Sequence, residues 1–130
     1  MNFTKIKETC LYINDLELAK EFYHDKLELP VISYVPARHI FFRAGESVLL
    51  CFNPEDSKKK VSPPAHYGGG NQHFAFEVSV SDYEKAKAWI EGKGISITEK
   101  VVWQSGAESF YFEDPEGNVL EIVPAEGIWD

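Results

Sequence analysis

The stretch Asp114-Pro115-Glu116-Gly117-Asn118, followed by Val119-Leu120-Glu121-Ile122, predicts a tight turn that leads into a strand. Proline presets a backbone angle suited to turns, and glycine and asparagine accept positive φ. Because side chains alternate between the two faces of a strand, Glu121 shares its face with Val119 and Val123. An unpaired carboxylate is costly to bury among such neighbours. A metal ion is one of the few groups that could balance its charge.

Two further alternating runs begin on side chains that can bind metals. His73-Phe74-Ala75-Phe76-Glu77-Val78 begins on a histidine, and Glu8-Thr9-Cys10-Leu11-Tyr12-Ile13 begins on a glutamate. Glu8 and His73 occupy matching positions of an internal repeat. By strand parity, Glu8, His73 and Glu121 all fall on the face opposite the helices, so one face of the sheet could collect them.

The internal repeat continues beyond these strands and decides the architecture. The helical stretch from Asp15 to Ala19 matches the stretch from Asp82 to Ala86, and each half later carries an aromatic strand, a glycine-bearing turn and an apolar strand. The pattern therefore predicts an α+β fold, with two βαβββ modules at about 1–53 and 72–124. Residues 54–71, rich in Pro, Gly, Lys and Ser, are predicted to form a connecting loop, and residues 1–130 to form a single domain.

Hydrophobic spacing and capping residues predict the bounds of the helices and strands. Asp15 is a candidate N-cap, and Gly92 is the expected end of the second helix, which is predicted to start at Ser81-Asp82. The predicted strands cover about 5–13, 31–35, 38–43, 48–52, 73–78, 95–102, 109–113 and 119–123.

Composition excludes several classes of partner. The chain has 130 residues, a net charge of −8 and a pI of about 5.0. Nucleic acid and anionic membrane surfaces attract basic patches, so neither is an expected partner. No apolar stretch is long enough to cross a membrane, and the N-terminus lacks the apolar region of a signal peptide. We therefore expect a cytoplasmic protein.

The two cysteines are predicted to remain free thiols. Cys10 shares the strand face of Glu8, whereas Cys51 should point to the opposite face. Side chains on opposite faces of a sheet cannot form a disulfide without backbone movement, and free thiols are typical of a reducing compartment.

The order and spacing of these motifs resemble the vicinal oxygen chelate superfamily. This superfamily includes glyoxalase I, the bleomycin- and fosfomycin-resistance proteins, methylmalonyl-CoA epimerase and extradiol dioxygenases. The resemblance covers nearly the whole chain, and it depends on residues 8–15, 19–23, 73–76 and 110–122. It implies a cupped, eight-stranded mixed sheet of glyoxalase-like fold, with metal ligands on the concave face and helices on the convex face.

The resemblance also implies a ligand set. The family's metal ligands fall on Glu8, where His or Gln is more usual, on His73 and on Glu121. The position equivalent to Glu121 in the first module is Leu50, so the fourth ligand of glyoxalase I is missing. Three protein ligands leave coordination positions for substrate and water. One imidazole and two carboxylates suit Mn²⁺, Fe²⁺, Ni²⁺, Zn²⁺ or Mg²⁺.

The resemblance predicts a metal-dependent enzyme for a small, oxygen-chelating substrate. Isomerase, epimerase, lyase and thiol-transferase chemistry all fit, whereas O₂-dependent dioxygenase chemistry is disfavoured, because Glu8 replaces a histidine of the usual iron site. Glu8 is either a ligand or a catalytic base. The alternative is a metal-free drug- or metabolite-binding protein of the bleomycin-resistance type. Residues expected to line a substrate cavity are Cys10, Tyr12, Leu50 and Arg38.

Each of these candidates also has a purely structural interpretation. Glu121 could be a solvated residue of an edge strand, and His73 could simply cap a strand. Of the other histidines, His39 has a possible cavity role, His24 is expected to be solvated, and His66 is expected to be mobile in the connecting loop.

A homodimer is the expected assembly. One βαβββ module has an open sheet edge and an uncovered face, so it needs a partner module. Small bacterial proteins that this chain resembles often take that partner from a second subunit. We expect each site to combine Glu8 of one chain with His73 and Glu121 of the other.

Overall fold

A computed structural model describes residues 1–130 and divides them into two compact units, Met1–Gly70 and Asn71–Asp130. Each unit contains one βαβββ module. All eight predicted strands are present, four in each of two mixed sheets. The α+β fold with two repeated modules is thereby confirmed.

The first unit forms a sheet with strand order β1-β4-β3-β2, in which β1 and β4 are parallel and the other pairs are antiparallel. Its elements are β1 (Glu8–Tyr12), α1 (Leu16–Lys20), a π-helical continuation (Glu21–Lys26), β2 (Val31–Val35), β3 (His39–Ala44), β4 (Ser47–Phe52) and α2 (Pro54–Ser57).

The predicted capping residue starts the first helix. The Asp15 side chain accepts hydrogen bonds from the backbone N–H groups of Glu17 and Leu18, at 3.1 and 3.2 Å. The apolar stripe of the helix is buried together with one face of the sheet, and the buried residues there include Leu16, Ala19, Phe22, Tyr23, Ile40, Phe42 and Leu49. This packing leaves the other face of the sheet without a helix.

The second unit repeats the arrangement with strand order β5-β8-β7-β6, and β5 and β8 are its parallel pair. Its elements are β5 (His73–Val78), a 3₁₀ turn (Val80–Asp82), α3 (Tyr83–Gly92), β6 (Glu99–Val102), β7 (Glu108–Glu113) and β8 (Val119–Pro124). Tyr83 and Ile90 of α3 are buried, as are Phe110, Phe112, Leu120 and Ile122 of the sheet.

The strand registers of the two modules coincide position by position. Glu8 lies opposite Val48 in the first sheet, and His73 lies opposite Val119 in the second. The corresponding pairs are therefore Glu8 and His73, Val48 and Val119, Cys10 and Ala75, Leu50 and Glu121, and Phe41 and Tyr111. The repeat alignment that the sequence predicted is correct, including the equivalence of Leu50 and Glu121.

Some predicted boundaries were wrong. Residues 54–71 are not all loop, because Asn53 caps the short α2 by accepting from Glu55 N–H at 3.0 Å, with Pro54 at the first helical position. The strand expected from Lys5 begins at Glu8. The strand expected from Ile95 begins only at Glu99, since Ile95 N–H still donates to a helix carbonyl.

The start of the second long helix also differs from the prediction. Asp82 makes no side-chain capping bond, because it ends the 3₁₀ turn that precedes α3. Ser79 instead accepts from Asp82 N–H at 3.2 Å and caps that turn.

The two cysteines are free, as predicted. Cys10 lies opposite Leu50, and Cys51 lies opposite Leu11, so their side chains point to different faces of one sheet. None of the helices combines the length and the apolar character that crossing a membrane requires.

Candidate metal centre

In each module the helix covers one face of the sheet, and we call the other face the open face. On the open face of the second module, Glu121 of β8 lies between Ala75 of β5 and Tyr111 of β7. Glu121 is only 6% exposed although it carries a carboxylate. Its oxygen Oε1 lies 3.4 Å from Nε2 of His73. The structure therefore brings together two of the three predicted ligands.

The hydrogen bonding of His73 explains why this pair calls for a cation. Its Nδ1 lies 2.8 Å from the carbonyl oxygen of Val119. A carbonyl can only accept, so Nδ1 carries the hydrogen, and in a neutral ring Nε2 presents its lone pair. That lone pair and the Glu121 oxygen are both acceptors. A proton or a metal ion is required to make their approach favourable, and a fixed Nδ1–H bond is the usual outer support of a metal-binding histidine.

The turn that precedes β8 sets the position of His73. Asp114 Oδ1 accepts from the N–H groups of Glu116 and Asn118, at 3.0 and 2.9 Å, while Asn118 Nδ2 donates to Asp114 Oδ2 at 2.8 Å. Asn118 Oδ1 in turn accepts from the N–H of Gln72 at 3.1 Å. The opening stretch Asp114–Asn118 therefore binds the residue immediately before His73 and aligns β5 with β8.

A tyrosine beside the pair extends the polar network. Tyr111 lies directly opposite Glu121, and its ring centroid is 6.1 Å from that of His73. Burial raises the pKa of Tyr111, and the charge of Glu121 and a hydrogen bond to it raise this pKa further. Behind Tyr111, the fully buried Ser109 accepts from Nε1 of Trp103 at 2.9 Å.

The other predicted site residues lie in the first module. Glu8 is exposed at the start of β1, and Cys10 and Tyr12 share its face. Cys10 Sγ is 3.8 Å from Tyr12 Oη, and Leu50 lies opposite Cys10 in β4. No group of three or more His, Cys, Asp or Glu side chains is gathered at metal-binding distance.

Arg38 does not join these residues. It lies in the turn between β2 and β3, and its side chain is 54% exposed. Its Nε is 3.5 Å from Oδ1 of Asp56, a residue of α2. Its guanidinium therefore pairs with a carboxylate of α2.

An aromatic–histidine cluster occupies the open face of the first module. His66 Nδ1 lies 2.8 Å from Tyr12 Oη, and the His66 ring meets the Phe52 ring edge to face at 4.6 Å. His39 stacks on Phe41 at 4.0 Å, with an interplanar angle of 10°. We define the aromatic–histidine cluster as Tyr12, His39, Phe41, Phe52 and His66.

Two members of this cluster, Tyr12 and His39, are shifted towards their neutral forms. Burial, with a hydrogen bond from Cys10 as the next cause, raises the pKa of Tyr12 to about 12. Burial and the positive charges of Lys60 and Arg38 lower the pKa of His39. The surface that the cluster presents is therefore largely aromatic.

The sequence did not identify several of these residues. Hairpin register places Tyr111 opposite Glu121, and that signal was available in the turn at Asp114–Asn118. For His66 no local signal exists, because a residue in an irregular connection is positioned by the path of the chain. His66, which the sequence predicted to be mobile in the connecting loop, bonds to Tyr12. His24 is also engaged, with Nδ1 2.8 Å from the carbonyl oxygen of Leu29.

Comparison with known proteins agrees with this architecture. Residues 5–122 match the family model of the glyoxalase/bleomycin resistance protein/dioxygenase superfamily. A glutathione transferase, FosA of Serratia marcescens, is 26% identical over 122 residues, which cover 90% of this chain and 78% of that protein. The uncharacterised protein YraH of Bacillus subtilis (strain 168) is 27% identical over 126 residues, covering 91% and 96%.

A solved structure with a similar fold spans almost the whole chain. A lactoylglutathione lyase from Agrobacterium tumefaciens superposes with a TM-score of 0.91 at 30% identity, covering 96% of each chain. The residues matched by the family model include all three candidate ligands, Glu8, His73 and Glu121. The chain belongs to the glyoxalase/bleomycin resistance protein/dioxygenase superfamily.

Proposed function

We propose that this protein is a metal-dependent enzyme of glyoxalase type that acts on a small, oxygen-chelating substrate. The observation that best supports this proposal is the 3.4 Å distance between two acceptor atoms, His73 Nε2 and Glu121 Oε1. The carboxylate of Glu121 is only 6% exposed. A buried carboxylate is retained when it is paired or coordinates a metal. The residues present therefore fit a divalent cation such as Mn²⁺, Ni²⁺, Zn²⁺, Fe²⁺ or Mg²⁺.

Three side chains are proposed to hold the ion. His73 and Glu121 supply a nitrogen and an oxygen from the second module, and Glu8 is the proposed third ligand, because it occupies the position of His73 in the first module. Glu8 could instead act as a base. A bound divalent ion would supply Lewis acidity, which stabilises negative charge that develops on a substrate oxygen.

The names of two relatives support a thiol-linked substrate class. One relative is a glutathione transferase and another is a lactoylglutathione lyase. We therefore propose isomerase, lyase, epimerase or thiol-transfer chemistry. Leu50 stands where Glu121 stands in the repeat, so this chain offers an apolar side chain at that position.

Metal content of the purified protein tests the proposal directly. We expect one divalent ion per chain by elemental analysis after loading with Mn²⁺ and desalting. Loss of an outer partner typically costs roughly 10–100-fold in metal affinity, so His73→Ala, which removes a ligand, should lose more. His24→Ala is a matched control, because it removes a histidine with the same 2.8 Å Nδ1-to-carbonyl bond on a different element.

Retention of full metal occupancy by His73→Ala would contradict the assignment. A wild-type chain that binds no divalent ion would favour the second candidate, a metal-free binding protein. The aromatic–histidine cluster favours that candidate, because its stacked pair and its edge-to-face pair offer ring surface to a planar ligand. In that case, binding of a planar aromatic drug should be unchanged by chelator and weakened by Phe52→Ala.

A further inference from the structure

We infer that Asp114 and Asn118 hold His73 in the tautomer that presents its Nε2 lone pair to Glu121. This inference rests on the proposed function, in which that lone pair binds the metal ion. It assigns a role to two residues of the turn before β8, neither of which is a proposed ligand. They are positioning residues, because they act on His73 only through the backbone of the β5–β8 pair.

The tautomer of His73 depends on the carbonyl group of one residue in β8. His73 Nδ1 lies 2.8 Å from the carbonyl oxygen of Val119, so Nδ1 must donate. The N–H of Val119 donates in turn to the carbonyl oxygen of Gln72 at 2.7 Å. If β5 shifted along β8, His73 would lose this acceptor, and either ring nitrogen could then carry the hydrogen. The register at the start of β5 therefore decides which nitrogen faces Glu121.

The turn fixes that register through one side-chain bond. Asn118 Oδ1 accepts from the N–H of Gln72 at 3.1 Å, so Gln72 is held at both its N–H and its C=O group. Asp114 fixes Asn118 in turn, because Asp114 Oδ2 accepts from Asn118 Nδ2 at 2.8 Å and Asp114 Oδ1 accepts from the Asn118 N–H at 2.9 Å. Asp114 and Asn118 are 6% and 1% exposed, and hydrogen bonds shielded from water in this way are stronger.

The first module repeats the backbone bond with a different side chain beside it. The N–H of Val48 donates to the carbonyl oxygen of Lys7 at 3.0 Å, as the counterpart in β8 does in the second module. The residue before Val48 is Ser47, whose hydroxyl donates to the carbonyl oxygen of Ile6 at 3.4 Å. The proposed ligand here is Glu8, a carboxylate, which has no tautomer to fix. The carboxylate–amide pair therefore occurs in the module whose proposed ligand is a histidine.

The tautomer of His73 can be measured in the metal-free protein. Imidazole groups are ordinarily neutral at about pH 8, so ¹⁵N-labelled histidine should show His73 with a hydrogen on Nδ1 and none on Nε2. His73→Ala identifies these signals by their loss. We expect Asn118→Ala, which removes the acceptor of the Gln72 N–H, to give a mixture of both tautomers. It should also bind Mn²⁺ about 10-fold more weakly, the lower end of the range for a ligand's outer partners.

Asp114→Asn breaks the same connection in a second way. Its amide nitrogen must face either Asn118 Nδ2 or the backbone N–H groups of Glu116 and Asn118, and all of these are donors. We expect this variant to show mixed tautomers and weaker Mn²⁺ binding as well.

Exchanging the amide and the carboxylate provides a rescue variant. In Asp114→Asn/Asn118→Asp, the amide at position 114 donates to the carboxylate at position 118, and that carboxylate accepts from the N–H of Gln72. Each of the four bonds then has a donor and an acceptor again. We expect the double variant to regain the single tautomer of His73 and the Mn²⁺ affinity of wild type.

Ser47→Ala is the matched control, because Ser47 precedes Val48 as Asn118 precedes Val119. It should keep the wild-type signals of His73 and the wild-type Mn²⁺ affinity. Circular dichroism establishes that each variant is folded, and Asp114→Asn serves as the test if Asn118→Ala is not.

The outcomes separate this inference from the proposed function. Wild-type protein that binds no divalent ion overturns the proposed function, and the tautomer in the metal-free protein still decides the inference. A folded Asn118→Ala or Asp114→Asn in which His73 keeps the wild-type tautomer overturns the inference alone. A folded double variant that keeps mixed tautomers also overturns it, because its restored bonds would then have no effect on His73.

Discussion

Two adjacent residues of β8 show how one strand supports both a core and a charge. Leu120 is fully buried on the helix side, and Glu121 is 6% exposed on the open face. Because β8 lies between β5 and β7, both edges of the strand are hydrogen-bonded to neighbouring strands. The buried carboxylate is tolerated where a histidine and a tyrosine are its immediate neighbours.

A residue of the first module gives a pH dependence with a defined sign. Burial, followed by Lys60 and Arg38, lowers the pKa of His39 below its ordinary 6.5. Between the lowered value and 6.5 the unfolded chain binds more protons than the folded chain. The contribution of His39 to stability is therefore fully present above about pH 6.5 and is lost as the pH falls towards its folded pKa.

We predict that His39→Asn removes part of this acid sensitivity. The free energy of unfolding, measured by urea titration, should fall less between about pH 7 and pH 5 in the variant than in wild type. Ser33→Ala is the control, because it removes the 3.0 Å hydrogen-bond partner of His39 Nε2 and keeps the imidazole. Equal slopes in wild type and His39→Asn would show that His39 does not contribute.

Single residues were predictable where strand parity decides their position. Alternation placed Cys10 and Cys51 on opposite faces and Glu121 on the face away from the core, and the register confirms both. Parity carries no information about a residue outside a strand. His66 therefore escaped prediction, because its bond to Tyr12 spans 54 residues of sequence.

At the scale of elements, the turn before β8 holds three strands in register. Asn118 is 1% exposed and connects Asp114 of the turn with the N–H of Gln72 before β5. We predict that Asn118→Ala destabilises the protein by about 1–3 kcal/mol, because it leaves a buried donor and acceptor without partners.

Urea denaturation measures this loss. Glu113→Ala, an exposed change at the end of β7, is the control and should stay within about 0.5 kcal/mol of wild type. A wild-type midpoint for Asn118→Ala would contradict the role assigned to the turn.

The connection between the modules is anchored by a side chain. His66 contacts Tyr12 and Phe52, and its N–H lies 3.4 Å from the carbonyl oxygen of Ser57. We predict that His66→Ala makes the run Lys58-Lys59-Lys60 roughly 2- to 10-fold more sensitive to trypsin, because a hydrogen bond that opposes local opening is lost.

Limited proteolysis with mass spectrometry measures the rate of cleavage there. Tyr67→Ala is the control. Tyr67 is the next residue in the chain, and its side chain is 71% exposed, so it should not hold the connection in place. Unchanged cleavage of His66→Ala would show that the contact does not restrain the segment.

Element types were more predictable than element boundaries. Asp15 gave the start of the first helix correctly, since a cap is a local signal. The strand after the second helix was predicted to be too long. Ile95 is buried, but it lies in a connection whose N–H bonds back to the helix, and not in the strand. Hydrophobicity reports burial, and it does not distinguish a strand from a buried connection.

At the scale of the whole molecule, we predict a homodimer in which each metal site takes Glu8 from one chain and His73 with Glu121 from the other. In this arrangement, a hybrid of Glu8→Ala and His73→Ala subunits has one site with both changes and one unchanged site. Equal mixing makes half of the dimers hybrid, so about a quarter of all sites should bind metal again.

The measurement is Mn²⁺ occupancy after the two variants are refolded together, and each variant refolded alone is the control. Sedimentation or native mass spectrometry establishes that hybrids form. Hybrid dimers that recover no metal binding would show that each site is built within a single chain.

The matched registers of the two sheets have a consequence for how a duplicated fold can diverge. The same row of the open face is Cys10, Leu50 and Phe41 in one module and Ala75, Glu121 and Tyr111 in the other. The row in the first module is apolar and the row in the second module carries a carboxylate, while the strand register is the same in both. Specialisation of this kind removes redundancy, because neither copy can substitute for the chemistry of its twin.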